Sequence, residues 1–418
     1  MNDHGRGKRV KTITECLETP VRDSADVLVV GGGIAGVAAA LAARRQGRDV
    51  LILEKTALFG GLATNGLISW YEPLCDGEGT QLMKGLPEEL LRLSVRYGPD
   101  TLPEIWRDPG IPVDRTKLAA QKQHPVGGRY ATYFSPTMFQ LAIDELLQKE
   151  GVRIRLCMSG VRPLMEGGNT CRGVVTESVT GREAYLARMV IDATGDAVIL
   201  ARAGVPCVEG ENYFSFIAQE MGANAVSSVI SRRKWHSIGA NLYGAGHPEG
   251  YPRYAGTRNE EETAFLLDGR RCLLDSIRSR DRFRNDVTAL PSQAQFRKTR
   301  RLRGGATLVE SDCRACADRS VALICDFDRP GDWYELPYEC LYHPDYPNLL
   351  AAGRMISSDG WAWDVTRVIP GCAASGEAAG IAAAMAVDEG QALNRLDIRS
   401  LQTRIRRQNV LIHRQEAG

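Results

Sequence analysis

The sequence has 418 residues, of which 44% are hydrophobic and 25% charged, the proportions of a globular protein with more than one folded unit. Its formal net charge of +1 gives no support for a nucleic acid or an anionic membrane as a partner. No apolar run approaches the roughly 20 residues that a membrane-spanning helix needs. The polar stretch 1–24 lacks the apolar core of a signal peptide, so we expect a cytoplasmic protein with a loose N-terminal tail.

The clearest predicted element is a strand–helix–strand unit over residues 25–54, ADVLVVGGGIAGVAAALAARRQGRDVLILE. The apolar run 25–30 predicts a buried parallel strand, the alanine-rich stretch 34–46 a helix, and the run 50–53 a second buried strand. Such a unit is typical of dinucleotide-binding domains. The alternative, a glycine-rich turn in an ordinary βαβ unit, does not account for the acidic residue that ends the second strand.

Three glycines, Gly31, Gly33 and Gly36, join the first strand to the helix in GxGxxG spacing. Gly31 would allow the tight turn, Gly33 would let a diphosphate approach the backbone, and Gly36 would let the helix pack against the strand. The free N–H groups of the first helical turn would bind the diphosphate, which adds Ile34 and Ala35 to the predicted site.

Glu54 ends the second strand, where a carboxylate can accept hydrogen bonds from ribose hydroxyl groups. The segment that follows is rich in small residues, which leave room for a flat ligand against the backbone. The predicted contacts in this segment are Lys55, Gly61, Leu62, Ala63 and Thr64.

Residues 67–135 are interpreted as an insertion. The chain then returns to the first domain in a helix, a strand, a hairpin and a buried strand, predicted at 136–150, 152–157, 170–187 and 189–193. Small residues follow the last of these strands, at the edge where open α/β sheets bind their ligands. They are Ala193, Thr194 and Gly195.

Residues 205–345 lack the βαβ pattern and form the candidate substrate domain, with a long helix near 260–280. In the basic stretch FRKTRRLRGG, strand alternation places Lys298, Arg300 and Leu302 on one face. Leu302 marks that face as the inner one, so Arg300 is predicted to point into a pocket. The alternative is a solvated basic strand without a role in binding.

The last part of the chain contains a predicted buried strand, NLLAAGR, and a helix at 371–387 that is rich in glycine and alanine. The N-terminus of this helix is a second position that favours an anion, and it could hold the electron-rich end of a reduced ring. Arg367 lies just before it and could bind a substrate carboxylate through two hydrogen bonds. The other candidates are Asp364, His236 and His247.

The sequence contains eleven cysteines without a small-domain disulfide pattern, so most are predicted to be reduced and buried. Cys313 and Cys316 form a CxxC motif, which indicates either a redox pair, half of a metal site, or two thiols one turn apart on a helix. No second CxxC lies nearby. The last interpretation is therefore favoured, and no metal site is predicted.

The motifs in chain order are GGGIAGVAAALAARRQG, VLILEK, GGLAT, VVTES, VIDATGD, NLLAAGR and RVIPGCAASGEAAGIAAA. This series resembles the FAD-dependent oxidoreductases of the glutathione-reductase type, near the bacterial fumarate reductase and heterodisulfide reductase flavoproteins. The resemblance covers 25–66, 136–200 and 296–388 and implies FAD as the cofactor. A second GxGxxG for NAD(P)H is absent, which argues against the disulfide-reductase branch.

The resemblance assigns a part of FAD to each motif. The GxGxxG glycines would hold the diphosphate and Glu54 the adenosine ribose, while Gly61, Ala63 and Thr64 would flank the flavin. The other implied contacts are Val161 with the adenine, the segment 193–195 with the dinucleotide, Gly353 and Arg354 with the ribityl chain, and Gly371, Cys372 and Ala373 with the pyrimidine edge. Many relatives carry aspartate where this chain has Arg354.

Together these observations predict an α/β protein with a Rossmann-type FAD-binding domain and an inserted mixed α+β substrate domain. The predicted FAD-binding domain comprises 25–66, 136–204 and 346–418, and the predicted substrate domain comprises 67–135 and 205–345. The expected reaction is hydride transfer between a small, polar or anionic organic substrate and the flavin. Arg367, Arg300 and Asp364 are the candidate catalytic residues.

Other functions stay open at this point. An electron-transfer subunit would need a partner with iron–sulfur clusters, because the chain has no ferredoxin-type cysteine cluster. A redox-neutral enzyme would use FAD without net oxidation of its substrate. An RNA-modifying flavoenzyme is less favoured because the basic run 297–303 is short. The sequence specifies neither the substrate nor the electron acceptor, and it leaves open a homo-oligomer or a redox partner protein.

Overall fold

The computed structural model describes residues 12–99, 101–107, 129–222, 233–280 and 285–417. Its helices are α1 (Ile34–Arg45), α2 (Leu86–Val95), α3 (Pro136–Lys149), α4 (Val198–Arg202), α5 (Asn259–Arg278), α6 (Gly360–Thr366), α7 (Ile369–Glu389) and α8 (Ile398–Arg406). Its strands are β1 (Val21–Val30), β2 (Val50–Leu53), β3 (Trp70–Tyr71), β4 (Thr132–Tyr133), β5 (Arg153–Arg155), β6 (Ser159–Glu166), β7 (Thr170–Ser178), β8 (Gly181–Asp192), β9 (Cys207–Glu209), β10 (Ser215–Gly222), β11 (Arg233–Gly239), β12 (Asn285–Ala289), β13 (Arg300–Leu302), β14 (Ser320–Cys325), β15 (Trp333–Pro337) and β16 (Leu349–Ala351).

The largest sheet has the order β5–β2–β1–β8–β7–β6, with β16 also paired to β8. Strand β1 runs parallel to both neighbours, with Val27 opposite Val50 on β2 and opposite Met189 on β8. Strands β5 and β16 continue the parallel part, whereas β6, β7 and β8 form antiparallel pairs. The predicted α/β class with a Rossmann-type parallel sheet is therefore confirmed.

Helices α1 and α7 pack together unusually closely because small residues lie between them. A Cβ atom added to Gly376 would come within 2.2 Å of the carbonyl oxygen of Ala35. One added to Gly380 would come within 2.3 Å of the carbonyl oxygen of Ala39. Only Gly fits at such distances, since no side chain can be inserted between the two backbones. The two helices thus form one block in the core.

A second hydrophobic core lies on the other side of the cavity described below. Strands β11, β10 and β12 form an antiparallel sheet, and helix α5 packs against it. The buried aromatic residues of this core are Phe214, Phe216, Tyr254, Phe265 and Phe296. The structure thus has a mixed α+β part beside the Rossmann-type sheet. Where the boundaries between the two domains fall stays a prediction.

Several elements differ in extent from the predictions. Strand β1 begins at Val21, inside the predicted tail, because its first residues pair with the long strand β8. Strand β8 is continuous from Gly181 to Asp192, where the sequence predicted two pieces.

Among the described residues no single helix is long and apolar enough to cross a membrane. Helices α6 and α7 reach that length and composition only as a pair bent by 82°, and α7 is buried in the core.

Candidate functional site

A cavity of about 330 Å³ lies across the carboxyl ends of β2, β1, β8 and β16. Ligands of open α/β sheets bind at this edge. Most of the residues predicted from the sequence as cofactor contacts line it. They are Gly31, Gly33, Ile34, Ala35, Glu54, Lys55, Gly61, Leu62, Ala63, Val161, Ala193, Thr194, Gly195, Gly353, Arg354 and Cys372. The candidate catalytic residue Arg367 lines it as well.

The glycine turn before α1 has the geometry that the spacing predicted. Gly31 has a φ of +106°, which side chains disfavour. A Cβ added to Gly36 would lie 1.9 Å from the carbonyl oxygen of Gly31, so the helix could not pack there with any other residue. A Cβ added to Gly33 would meet no atom within 4 Å. The open space at Gly33 leaves room for a ligand beside the N-terminus of α1.

Glu54 lies at the end of β2 and is 7% exposed. Its Oε2 atom accepts a hydrogen bond from the backbone N–H of Gly32 at 2.6 Å. Its Oε1 atom accepts bonds from the N–H and the hydroxyl group of Thr56, at 2.7 and 2.8 Å. The carboxylate is thus fixed in position while it lines the cavity. A fixed carboxylate is suited to accept hydrogen bonds from ribose hydroxyl groups.

The turn after β8 is organised by Asp192, a residue that sequence reasoning missed. Its carboxylate accepts hydrogen bonds from the N–H groups of Thr194, Ile199 and Leu200 and from the hydroxyl group of Thr194, at 2.7 to 3.0 Å. The side chain is fully buried, and burial raises its pKa against the effect of these bonds. An acid at the end of an apolar strand, as in VIDATGD, was the available signal.

Arg354 lines the cavity but is held by protein atoms. Its Nε donates to the carbonyl oxygen of Gly195 at 2.7 Å, its Nη1 to that of Phe296 at 2.6 Å, and its Nη2 to the carboxylate of Asp196 at 2.5 Å. The guanidinium group therefore connects the turns that follow β16 and β8 to the segment before β13.

The N-terminus of α7 borders the cavity through Ile369 and Cys372. The Oε2 atom of Glu72 accepts a hydrogen bond from the N–H of Ile369 at 3.2 Å. Glu72 is 8% exposed, and burial raises its pKa to about 7, against the effects of backbone hydrogen bonds and of the charge of Arg367. The sequence analysis did not predict this carboxyl group, because Glu72 lies far from α7 along the chain.

A cluster of charged side chains lies at the same end of the cavity. The carboxylate of Asp364 accepts bonds from Arg367 Nε and Nη2 at 2.9 and 2.8 Å and from Lys298 Nζ at 2.6 Å. Burial opposes ionisation of Asp364, but the charges of Arg367 and Lys298 lower its pKa overall. Burial, and then the nearby charge of Arg367, lowers the pKa of Arg297 to about 10.

The orientation predicted for Arg300 differs from the one in the structure. Its Nη1 donates to the carbonyl oxygen of Asp196 at 3.4 Å, and its Nη2 lies 3.6 Å from the carboxylate of Glu209. Arg300 is not among the described residues that line the cavity. Strand β13 begins only at this residue, so the alternation assumed for 297–303 does not apply to its first half.

The two candidate histidines also lie outside the cavity lining of the described chain. His236 contacts Glu220 Oε2 at 3.1 Å and Ser276 Oγ at 3.0 Å, which joins β10 and β11 to α5. The Nδ1 atom of His247 accepts a bond from the N–H of Phe214. Both histidines therefore have local structural partners.

Thr64, Gly371 and Ala373 were also predicted as cofactor contacts, but they are not among the described residues that line the cavity. The hydroxyl group of Thr64 donates to the carbonyl oxygen of Phe59, and Ala373 is fully buried. A Cβ added to Gly371 would lie 2.6 Å from the carbonyl oxygen of Thr366, so the start of α7 packs closely against α6. Cys313 lies in a turn directly after a short 3₁₀ helix, and Cys316 lies in the irregular segment that follows, so the two are not on a helix as favoured from the sequence.

The sequence matches the family described as FAD dependent oxidoreductase over residues 26–264 and 259–405. The chain belongs to the FAD-dependent oxidoreductase family. FAD is therefore its cofactor, and the site fits it. The open space at Gly33 adjoins the helix N-terminus suited to a diphosphate, and Glu54 lies at the end of the adjacent strand. In this FAD-dependent oxidoreductase the charged cluster lies at the α7 end of the cavity.

The following known proteins resemble this oxidoreductase in part. L-aspartate oxidase of Mycobacterium tuberculosis H37Rv and of Mycobacterium bovis is 64% identical over 36 residues, which cover 9% of this chain and 7% of that enzyme. p-Nitrophenol 4-monooxygenase from Pseudomonas putida DLL-E4 is 14% identical, with a TM-score of 0.49 over 92% of this chain and 84% of that one. A geranylgeranyl bacteriochlorophyll reductase-like protein from Thermoplasma acidophilum is 14% identical, with a TM-score of 0.44 over 92% of this chain and 83% of that one. None of these values bears on the substrate.

Proposed function

We propose that this oxidoreductase transfers a hydride between a carbon atom of a small anionic organic substrate and the flavin. FAD, when bound, supplies the hydride-transfer chemistry. The observation that supports an anionic substrate is the excess of positive charge at the α7 end of the cavity.

The charge excess follows from five buried or half-buried side chains. Arg297, Lys298 and Arg367 are cations, and Asp364 is the carboxylate that bonds two of them. Glu72 contributes only part of a negative charge near neutrality, because its pKa of about 7 leaves it about half ionised at pH 7. The cluster therefore carries more positive than negative charge, and its side chains are partly shielded from solvent. A substrate carboxylate would balance that charge and accept hydrogen bonds from guanidinium groups.

Arg367 is the better oriented of the two arginines for this role. Asp364 accepts bonds from its Nε and Nη2 atoms, which fixes the plane of the guanidinium group. Its Nη1 atom has no hydrogen-bond partner among the described residues. A donor that is fixed before binding loses little side-chain entropy when a substrate arrives. Asp364 is thus a positioning residue for Arg367.

Arg297 is the second donor in this proposal, in place of Arg300. Neither is among the described residues that line the cavity, but Arg297 lies close enough to Arg367 and Asp364 to feel their charges. It donates to the carbonyl oxygen of Asn241 at 3.0 Å and to the hydroxyl group of Ser215 at 3.4 Å, so it too is held in place. Its position near Arg367 brings two guanidinium groups towards one anion. Arg300 serves as the comparison, because it lies three residues further along the chain.

The substrate class is tested by anaerobic mixing of the purified holoenzyme with small carboxylic acids and with matched neutral alcohols and amides. We expect the flavin absorbance to bleach with an acid and not with its neutral analogue. Bleaching by neutral compounds alone would contradict the proposal.

The residues are tested with Arg367→Lys and Arg297→Lys, which keep the charge but remove the planar pair of donors. We expect KM for the acid to rise about tenfold to a hundredfold, as the loss of about 1.4 to 2.7 kcal/mol of charged hydrogen bonding predicts. FAD content should not change. Arg300→Lys is the matched comparison. A rise in KM in this variant alone would instead support Arg300 as the substrate-binding residue, as strand alternation predicted.

We also propose a cytoplasmic location. The support is that all eleven cysteines, including the pair Cys313 and Cys316, are free thiols in the structure. Free thiols persist in a reducing compartment. Fractionation of the native host cells, with detection by antibody, tests this location.

A further inference from the structure

The carboxyl group of Glu72 is buried at the start of α7, where it contacts a residue that lines the cavity. Its Oε2 atom accepts the N–H of Ile369, and Ile369 itself lines the cavity. The first N–H groups of a helix form its positive end, which attracts negative charge. A carboxylate and an anion in the cavity would therefore compete for the same helix N-terminus.

The location of Glu72 relative to the cofactor follows from the order of the sheet. Glu54 ends β2, the turn at Gly33 follows β1, and Ile369 begins the helix after β16, so the cavity extends from the β2 side to the β16 side. The predicted ribose contact at Glu54 and the predicted diphosphate contact at Gly33 would place the far end of the dinucleotide, the flavin ring, at the start of α7. This placement is the part that rests on the proposed function.

We propose that Glu72 binds a proton when hydride reaches the flavin, so that the negative charge gained at this end of the cavity is balanced inside the protein. Hydride transfer breaks one C–H bond of the substrate and brings two electrons and one proton to the ring, and the substrate is oxidised. One further proton comes from solvent and binds a carboxylate oxygen of Glu72. No bond of the protein breaks, and reoxidation returns the proton to solvent.

The surroundings of Glu72 allow it to titrate in the neutral range. The ionisable groups that face it in the described part of the chain are Arg367, Cys372 and Tyr71. Burial raises the pKa of the Cys372 thiol to about 12 and that of Tyr71 well above its ordinary value, so both stay neutral. Burial raises the pKa of Glu72 to about 7, and added negative charge nearby raises it further. Glu72 is thus the group of this set that can gain a proton on reduction.

The test measures the reduction potential of the holoenzyme against pH, with a chemical reductant and redox dyes and without substrate. One additional proton per two electrons makes the potential fall more steeply, by about 30 mV for each tenfold change in proton activity. We expect this extra slope between about pH 7 and 8 in the wild type and its loss in Glu72→Gln. The glutamine oxygen can still accept the bond from Ile369, so a purely structural role would leave the slope unchanged.

The matched control is Glu377→Gln, a second buried carboxyl group in α7, which accepts the N–H of Leu86 and is not among the described residues that line the cavity. We expect it to keep the wild-type slope. Equal slopes in the wild type and in Glu72→Gln would overturn the proposal. Because no substrate is used, this result is independent of whether the substrate is an acid.

A second measurement covers the case in which Glu72→Gln does not retain FAD. Proton uptake on reduction of the wild-type holoenzyme near pH 7.5 is followed with an indicator dye, and the charge of the reduced ring is read from its absorbance. We expect more protons than the ring itself takes up, by a fraction below one, because Glu72 with its pKa of about 7 is already partly protonated at this pH. Uptake equal to that of the ring alone would overturn the proposal.

Discussion

At the scale of single residues, Glu54 has protein partners on both of its carboxylate oxygens and also lines the cavity. Removing it would affect both the glycine turn and the ligand. A comparison variant is therefore needed to separate the two effects, and Thr56 provides it, since its hydroxyl group contacts Glu54 from the protein side.

We expect Glu54→Ala to lower FAD affinity about tenfold to a hundredfold, because it leaves ribose hydroxyl groups without an acceptor, at a cost of about 1–3 kcal/mol. Flavin fluorescence quenching on binding to the apoprotein measures the affinity. Thr56→Val should lower stability but leave FAD affinity within about threefold of the wild type. Equal affinity losses in the two variants would mean that Glu54 acts only through the turn.

Glu377 is a fully buried carboxyl group in α7 whose Oε2 accepts the N–H of Leu86 at the start of α2. Burial raises its pKa from the ordinary 4.5 to about 8. Between these values the native state binds more protons than the unfolded chain. The free energy of unfolding therefore falls as pH rises through this window, by up to about 1.4 kcal/mol per pH unit.

We expect Glu377→Gln to be more stable than the wild type above about pH 8, with the difference shrinking towards pH 5. Glutamine keeps an acceptor for the N–H of Leu86 but carries no charge. Urea unfolding of the apoprotein at several pH values measures the difference. Glu389→Gln, at the exposed end of the same helix, should leave the pH dependence unchanged. Parallel curves for wild type and Glu377→Gln would show that this carboxyl group does not titrate in the window.

At the scale of elements, the turn before α1 and the first turn of α1 each contain a glycine, and the surroundings of the two are opposite. The space beside Gly33 is open, whereas the space beside Gly36 is filled by the carbonyl group of Gly31. Gly33 has φ −65° and ψ 176°, which alanine adopts without strain. A methyl group at Gly33 would therefore affect only the ligand, whereas one at Gly36 would affect the fold.

We expect Gly33→Ala to leave the apoprotein within about 1 kcal/mol of wild-type stability and to lower FAD affinity about tenfold or more, because the methyl group occupies the space of the diphosphate. Gly36→Ala should lower both the melting temperature and FAD affinity. Thermal unfolding with and without FAD measures both quantities. Normal FAD affinity in Gly33→Ala would place the diphosphate elsewhere.

At the scale of the whole molecule, Arg354 connects segments that are far apart in the chain. We expect Arg354→Met to lower the free energy of unfolding by about 1–3 kcal/mol, because it removes the guanidinium donor from the carbonyl group of Phe296 and the carboxylate of Asp196. The carbonyl group of Gly195 would keep only the bond from the hydroxyl group of Thr299 at 3.3 Å. Denaturant unfolding measures the loss, and the exposed Arg303→Met is the control. An unchanged stability would indicate that water replaces the guanidinium group.

Local signals predicted much of this molecule. The GxGxxG turn, the strand that ends at Glu54 and the small residues after β8 are short-range patterns, and the structure brings them to one cavity. Their roles towards FAD stay predictions. The contact between Glu72 and Ile369 was not predictable in this way, since 297 positions separate the two residues.

The structure places Arg300 away from the cavity lining of the described chain, for a local reason. The backbone N–H groups of both Arg297 and Lys298 donate to the same side-chain oxygen of Asn212, at 2.7 and 2.8 Å. Consecutive N–H groups of a strand point in opposite directions, so this segment is not a strand. The side-chain positions of 297–299 therefore depend on Asn212, which alternation cannot include.

The close packing of α1 on α7 has a consequence for which flavin the protein accepts. Gly376 and Gly380 hold the two helices backbone to backbone, so the distance between their N-termini is fixed. The diphosphate is expected at one N-terminus and the ring at the other. A mononucleotide such as FMN has no adenosine to reach Glu54 and no second phosphate to span this fixed length. We therefore expect the protein to select its cofactor by length, through two glycines that lie outside the cavity lining of the described chain.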